Sequence, residues 1–91
     1  MELQWTGKAR SDLMRLYDFL APVNPRAATQ TIKSLVAAPM RLLENPRLGD
    51  RLSEYEPREV RRILVGRYEM RYEIRDAVLY VLRIWHTRED R

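Results

Sequence analysis

The chain is 91 residues long, below the ~100–150 of a typical domain, so it is expected to fold as one unit over 1–91. It has no cysteine, which excludes disulfides and thiolate metal sites, and no apolar run approaches the ~18 residues a membrane-spanning helix needs. Seventeen basic residues against 13 acidic ones leave a net charge of +4, spread over both halves of the chain, so charge alone does not choose between nucleic acid and an acidic protein as partner.

Leu3-Gln4-Trp5 alternates apolar and polar, which predicts a short first strand. Thr6 is placed to cap the helix expected over 8–21, where Ala9, Leu13, Leu16, Tyr17 and Leu20 recur at helical spacing, with Arg10, Asp12, Arg15 and Asp18 on the opposite face. Asn24-Pro25 predicts a second start, and Ala28, Ile32, Leu35 and Val36 form one face of a helix over 25–44. Pro39 removes the bond to the Leu35 carbonyl, at ~3 kcal/mol in a helix interior, so a kink or break is expected there. Residues 46–57 read as a polar loop.

After Pro57 the period changes from 3.6 to 2, which predicts strands near 59–65, 67–75 and 78–86 joined by tight turns. In the middle strand Tyr68, Met70, Tyr72 and Ile74 should face a core, and Glu69, Arg71, Glu73 and Arg75 should form a charge ladder facing water. The last strand is apolar on both faces and should be central. One of its two sets, either Leu79, Val81 and Trp85 or Tyr80, Leu82 and Ile84, has no helix left to cover it, which suggests a partner. The order is β-α-α-β-β-β, an α+β fold with both helices on one face of the sheet.

Single residues admit ordinary readings. His86, the sole histidine, can cap or pack at the end of the last strand, and without cysteine it makes no metal site. Arg61 and Arg62 can pair across the sheet with Glu59, Glu69 or Glu73. Trp5 and Trp85 suit packing between elements.

Taken together, Trp5-Thr6, Ala9, Asp12-Leu13, the run Leu42-Leu43-Glu44-Asn45-Pro46-Arg47-Leu48-Gly49, Gly66-Arg67-Tyr68 leading into Tyr72-Glu73-Ile74, and the ending Ile84-Trp85-His86-Thr87-Arg88-Glu89-Asp90 resemble the RelE/ParE toxins of bacterial type II toxin–antitoxin pairs over nearly the whole chain. The resemblance implies two antiparallel helices packed on a mainly antiparallel four-stranded sheet, with the first strand beside the last. It also implies a cognate antitoxin, ParD-like with a ribbon-helix-helix N-terminus, whose C-terminal segment wraps the toxin. Candidate antitoxin contacts are Leu13, Leu16, Tyr17, Arg61, Arg62, Leu79, Val81 and Trp85. No cofactor or metal is implied, and a short chain without disulfides or an apolar leader is expected to be cytoplasmic.

Two branches of the resemblance imply two chemistries. RelE-type members cut mRNA on the ribosome and place an arginine near the start of the third strand, where this chain has Glu69, a carboxylate expected to repel the scissile phosphate. They also carry lysines in the loop that here spans 46–57, which has none. Arg71, Arg83, His86 and Arg88 are the residues from which a nuclease site would be rebuilt. ParE-type members inhibit DNA gyrase by binding and end as this chain does, so the ParE branch is favoured, with Arg83, His86 and Arg88 as candidate target contacts. A module that binds antitoxin but has lost its target is a third reading.

Overall fold

The computed structural model describes residues 1–89. Strand β1 (Glu2–Trp5) leads into α1 (Gly7–Leu20), and α2 (Pro25–Glu44) follows after a short turn. Then come β2 (Asp50–Arg51), a 3-10 turn at Ser53–Tyr55, and the strands β3 (Glu59–Val65), β4 (Tyr68–Arg75) and β5 (Val78–His86). The sheet order is β1-β5-β4-β3-β2. β1 runs parallel to β5 and every other pair is antiparallel.

Local sequence accounts for the helix starts. The Thr6 hydroxyl accepts from the Ala9 N–H at 3.1 Å, and the Asn24 side chain accepts from the Ala27 N–H at 3.1 Å. Pro39 neither breaks nor ends α2, which runs unbroken to Glu44. Leu35, Ala38 and Leu42, all at 1% exposure or less, pin the helix to the core on both sides of the missing hydrogen bond. Burial of each of the two leucines contributes ~1.5–3 kcal/mol, together enough to offset the cost of the proline.

The expected four-stranded sheet has a fifth member. Within the segment read as loop, Asp50 and Arg51 pair with Arg62 and Arg61. Two charged residues on a sheet edge carry no alternation that a sequence pattern can register.

The tight turns differ in chemistry. Gly66, with φ of 60°, turns β3 into β4, as a glycine at the first central position of a two-residue hairpin does. Asp76 and Ala77 turn β4 into β5 with φ of 51° and 63°, a left-handed pair that alanine adopts at a cost.

Both face assignments offered for β5 are corrected. Arg71 pairs with Arg83 and Tyr72 with Val81, so Leu82 has no partner and forms a bulge. The bulge shifts the phase of the strand. Leu79, Val81 and Ile84 therefore share the helix-side core with Met70 and Tyr72, while Tyr80, Arg83 and Trp85 lie on the other face. Leu79 and Val81, expected as antitoxin contacts, are 0% exposed and belong to the core.

Candidate functional site

Two surfaces flank the end of β5. The first is a groove of about 1270 Å³ between the helices and the β3–β4 turn. Its floor is apolar, from Leu16, Leu20, Leu35, Val65 and Tyr68. Its rim is basic, with Arg15, Arg41, Arg67 and Arg88. The one acid lining it among the described residues is Glu89, whose carboxylate pairs with Arg15 and accepts the His86 N–H at 2.7 Å. Phe19, 78% exposed, stands at its edge. His86 lies inside this groove, edge-on to Tyr68 with ring centroids 5.2 Å apart, and its Nδ1 accepts the Arg88 N–H at 3.0 Å.

The second surface is the sheet face away from the helices. The alternation of β4 holds, so Glu69, Arg71, Glu73 and Arg75 share this face as expected. Glu69 and Glu73 do not meet water, however: they are 2% and 3% exposed, sealed under guanidinium groups. Glu69 takes Arg71 at 2.7 Å and Arg62 at 3.6 Å. Glu73 holds Arg58 through two hydrogen bonds of 2.9 and 3.1 Å. Those bonds hold the Glu73 carboxyl below its ordinary pKa against the opposing effect of burial. The sequence-based expectation that Glu69 would repel a phosphate is therefore corrected: it is a counter-ion that holds two arginines in place.

Asp12 is the residue that sequence reading placed wrongly. It is 3% exposed and reaches from α1 to the end of β5. It binds Arg83 through Nε at 2.9 Å and a terminal nitrogen at 3.2 Å, accepts the Ile84 N–H at 2.8 Å, and receives Arg15 at 3.2 Å. Burial pushes its carboxyl pKa up, but these donors outweigh burial and hold it below the ordinary value. The signal in the sequence was the spacing of Asp12 and Arg15, an i,i+3 pair on one helix face.

The four residues named for a nuclease site are not brought together. Arg71 and Arg83 are register partners on the open sheet face, whereas His86 and Arg88 line the groove on the helix side. The three candidate target contacts divide in the same way, Arg83 on one surface and His86 with Arg88 on the other.

The candidate antitoxin contacts are also dispersed. Leu16 floors the groove and Tyr17 is 41% exposed on α1, while Leu13 lines a shallow depression with Leu3, Trp5 and Val36. Arg61 turns to the helix side and binds Glu59 at 2.9 Å and the Gly49 carbonyl at 2.7 Å, with Arg62 on the open face beside Glu69. Trp85 is 8% exposed beneath guanidinium groups. No group of His, Asp and Glu among the described residues is arranged to hold a metal ion.

Residues 3–91 match the family described as the ParE toxin of the type II toxin–antitoxin system parDE. The chain is 32% identical over 86 residues to Toxin RelE2 of Caulobacter vibrioides, covering 94% of each protein. Its fold superposes with a TM-score of 0.73 on a structure of the chromosomal ParDE toxin–antitoxin system from P. aeruginosa, at 25% identity over 94% of this chain and 95% of that one. The family match over residues 3–91, borne out by the relative and by the shared fold, places it plainly: this protein belongs to the ParE toxin family of type II toxin–antitoxin systems.

Proposed function

We propose that this toxin acts on DNA gyrase by binding, in the cytoplasm, and that a ParD-like antitoxin silences it by seating an acidic, amphipathic segment in the groove. The observation that carries the reading is the separation of Arg71 and Arg83 from His86 and Arg88 on opposite faces of the sheet. Phosphodiester cleavage by general acid–base chemistry needs a proton-transfer group within ~3 Å of the reacting atom and cations around the same phosphate. Arg83 is held by Asp12 and Arg71 by Glu69 on the other face from His86 and Arg88, so the four do not converge on one phosphate, whereas binding tolerates the division.

The groove supports the antitoxin part. An apolar floor with four arginines on its rim complements a helix with one apolar stripe and acidic flanks. An occupant of that groove covers His86 and Arg88, so the same contact that gives affinity blocks two of the three candidate target residues. The expected contact area is well over ~1,000 Å², as stable partners require.

The name of the Caulobacter relative keeps a ribosome-dependent mRNA endonuclease as the second reading. The deciding experiment expresses the chain without antitoxin and follows plasmid topology, gyrase cleavage complexes and codon-resolved mRNA ends in the same cells. Trapped gyrase on cleaved DNA with intact mRNA is the expected result. Ribosome-dependent mRNA cuts with normal plasmid topology would overturn it.

A further inference from the structure

The helix-free face of the sheet carries an arrangement that sheet energetics disfavours. Arg62, Arg71 and Arg83 are register partners across three adjacent strands, one directly beside the next. Neighbouring strands lie about 4.8 Å apart, and like charges placed directly opposite destabilise a sheet. The row is held from below by Glu69 and Asp12, whose side chains are 3% and 5% exposed, and Glu73, at 5%, holds Arg58 in the same way. The guanidinium side is the outer one: the side chains of Arg58, Arg62 and Arg83 are 52%, 45% and 44% exposed, and Arg75 is exposed. One exposed acid, Asp50, continues the row beside Arg62. The other acids lie beneath, and the five arginines Arg58, Arg62, Arg71, Arg75 and Arg83 outnumber the four carboxylates, so the charge this face shows to a partner is positive.

The rings on the face are already taken. Arg71 lies over both Tyr55 and Trp85, at 5.9 and 4.9 Å from their centroids, Arg83 over Trp85 at 5.1 Å, and Arg75 over Tyr80 at 4.7 Å. Unpaired bases need open aromatic faces on which to stack. This face offers guanidinium N–H groups in place of rings, and those read phosphate oxygens without reading bases. The ligand that presents only phosphates outward, with its bases stacked inside, is a duplex.

We infer that this arginine-capped sheet face docks the phosphate backbone of duplex DNA, without sequence preference. The inference stands apart from the gyrase reading, since it requires neither gyrase nor an antitoxin.

The test is fluorescence anisotropy of the full chain with a labelled mixed-sequence DNA duplex of about 20 base pairs, between about 50 and 200 mM salt. Contacts from Arg58, Arg62, Arg75 and Arg83 predict a slope of log K against log salt near −3.6, a loss of about 150-fold over that range. The double variant Arg62→Gln/Arg75→Gln leaves all three buried acids with an arginine partner, and unchanged thermal melting checks its fold. It should lower the slope to about −1.8, a loss of about 12-fold over the same range. Arg41→Gln/Arg67→Gln in the groove should leave the slope as it was. Absence of DNA binding by the folded chain overturns the inference, as does a slope that responds to the groove pair and not to the sheet pair. Tighter binding of single-stranded RNA, or of polyglutamate at equal charge, also overturns it, in favour of an RNA or an acidic protein.

Discussion

Asp12 accepts the backbone N–H of Ile84 at 2.8 Å, and so a helix side chain takes the place of a strand. β1 pairs with β5 only as far as Trp5 opposite Val81, after which the chain turns into α1. The Thr6 N–H bonds the Val81 carbonyl at 3.1 Å and its hydroxyl donates to the Leu82 carbonyl at 3.0 Å, while Arg15 donates to the Ile84 carbonyl at 3.1 Å. The cap and first three turns of α1 thus complete the open edge of β5 beyond the bulge, and they fix Arg83 at the same time.

Asp12→Ala should therefore destabilise the fold by about 2–3 kcal/mol. A buried N–H left without acceptor costs ~1–3 kcal/mol, and the loss of the ion pairs adds modestly because Arg83 and Arg15 are 44% and 43% exposed. Asp12→Asn keeps an acceptor for Ile84 and should cost about half as much. Urea denaturation of the two variants checks the ratio, and equal losses would show that the Ile84 bond contributes nothing.

Gly49 sits where no side chain fits. A Cβ there would lie 2.6 Å from the Arg62 carbonyl oxygen and 2.7 Å from the Tyr72 hydroxyl. That hydroxyl accepts the Gly49 N–H at 2.9 Å and donates to the Pro46 carbonyl at 2.7 Å, tying the turn after α2 to the core. Gly49→Ala should cost about 2–3 kcal/mol, at the upper end of overpacking, since backbone cannot move aside. Tyr72→Phe, which frees the turn without crowding it, should cost about 1 kcal/mol. Melting temperatures order the pair.

Ala77 offers a gain. At φ of 63° alanine bears ~1–2 kcal/mol of left-handed strain that glycine escapes, less the extra freedom glycine has when unfolded. Ala77→Gly should raise stability by about 0.5–1 kcal/mol, read as a higher urea midpoint at an unchanged slope.

Acid should unfold the protein through its carboxylates. Asp12, Glu59 and Glu73 all have folded-state pKa values below the ordinary 3.8 and 4.5. For Glu59, burial acts upward, but bonds from Arg61 and Arg47 outweigh it. A depressed folded pKa gives stability that is complete above the unfolded value and lost as pH falls through the folded one. Stability should hold from about pH 7 to 5 and decline below about 4.5, and Glu73→Gln should flatten part of that decline. A decline beginning above about pH 6 would point to another titrating group.

The helices and the three long strands were decided by the sequence alone, because caps, periods and turn residues act within a few positions of themselves. Thr6 and Asn24 start the helices wherever those helices pack, and the alternation from Tyr68 to Arg75 assigns faces without reference to any partner strand. The full-length family resemblance was legible for the same reason, being carried by local motifs in order. Only the tertiary structure decided the rest. The bulge at Leu82 arises from the pairing of β5 with β4, and it split sets of residues that alternation alone would have kept together. Charged residues carry no local mark of burial: Asp12, Glu69 and Glu73 are sealed because Arg83, Arg62 and Arg58 from outside their own helix or strand join the neighbours Arg15 and Arg71 in closing over them, and that cost of burial is met by hydrogen bonds between residues as many as 72 positions apart. The same long-range closure put His86 in the groove and Arg83 on the open sheet face, three residues apart in the chain and on opposite sides of β5.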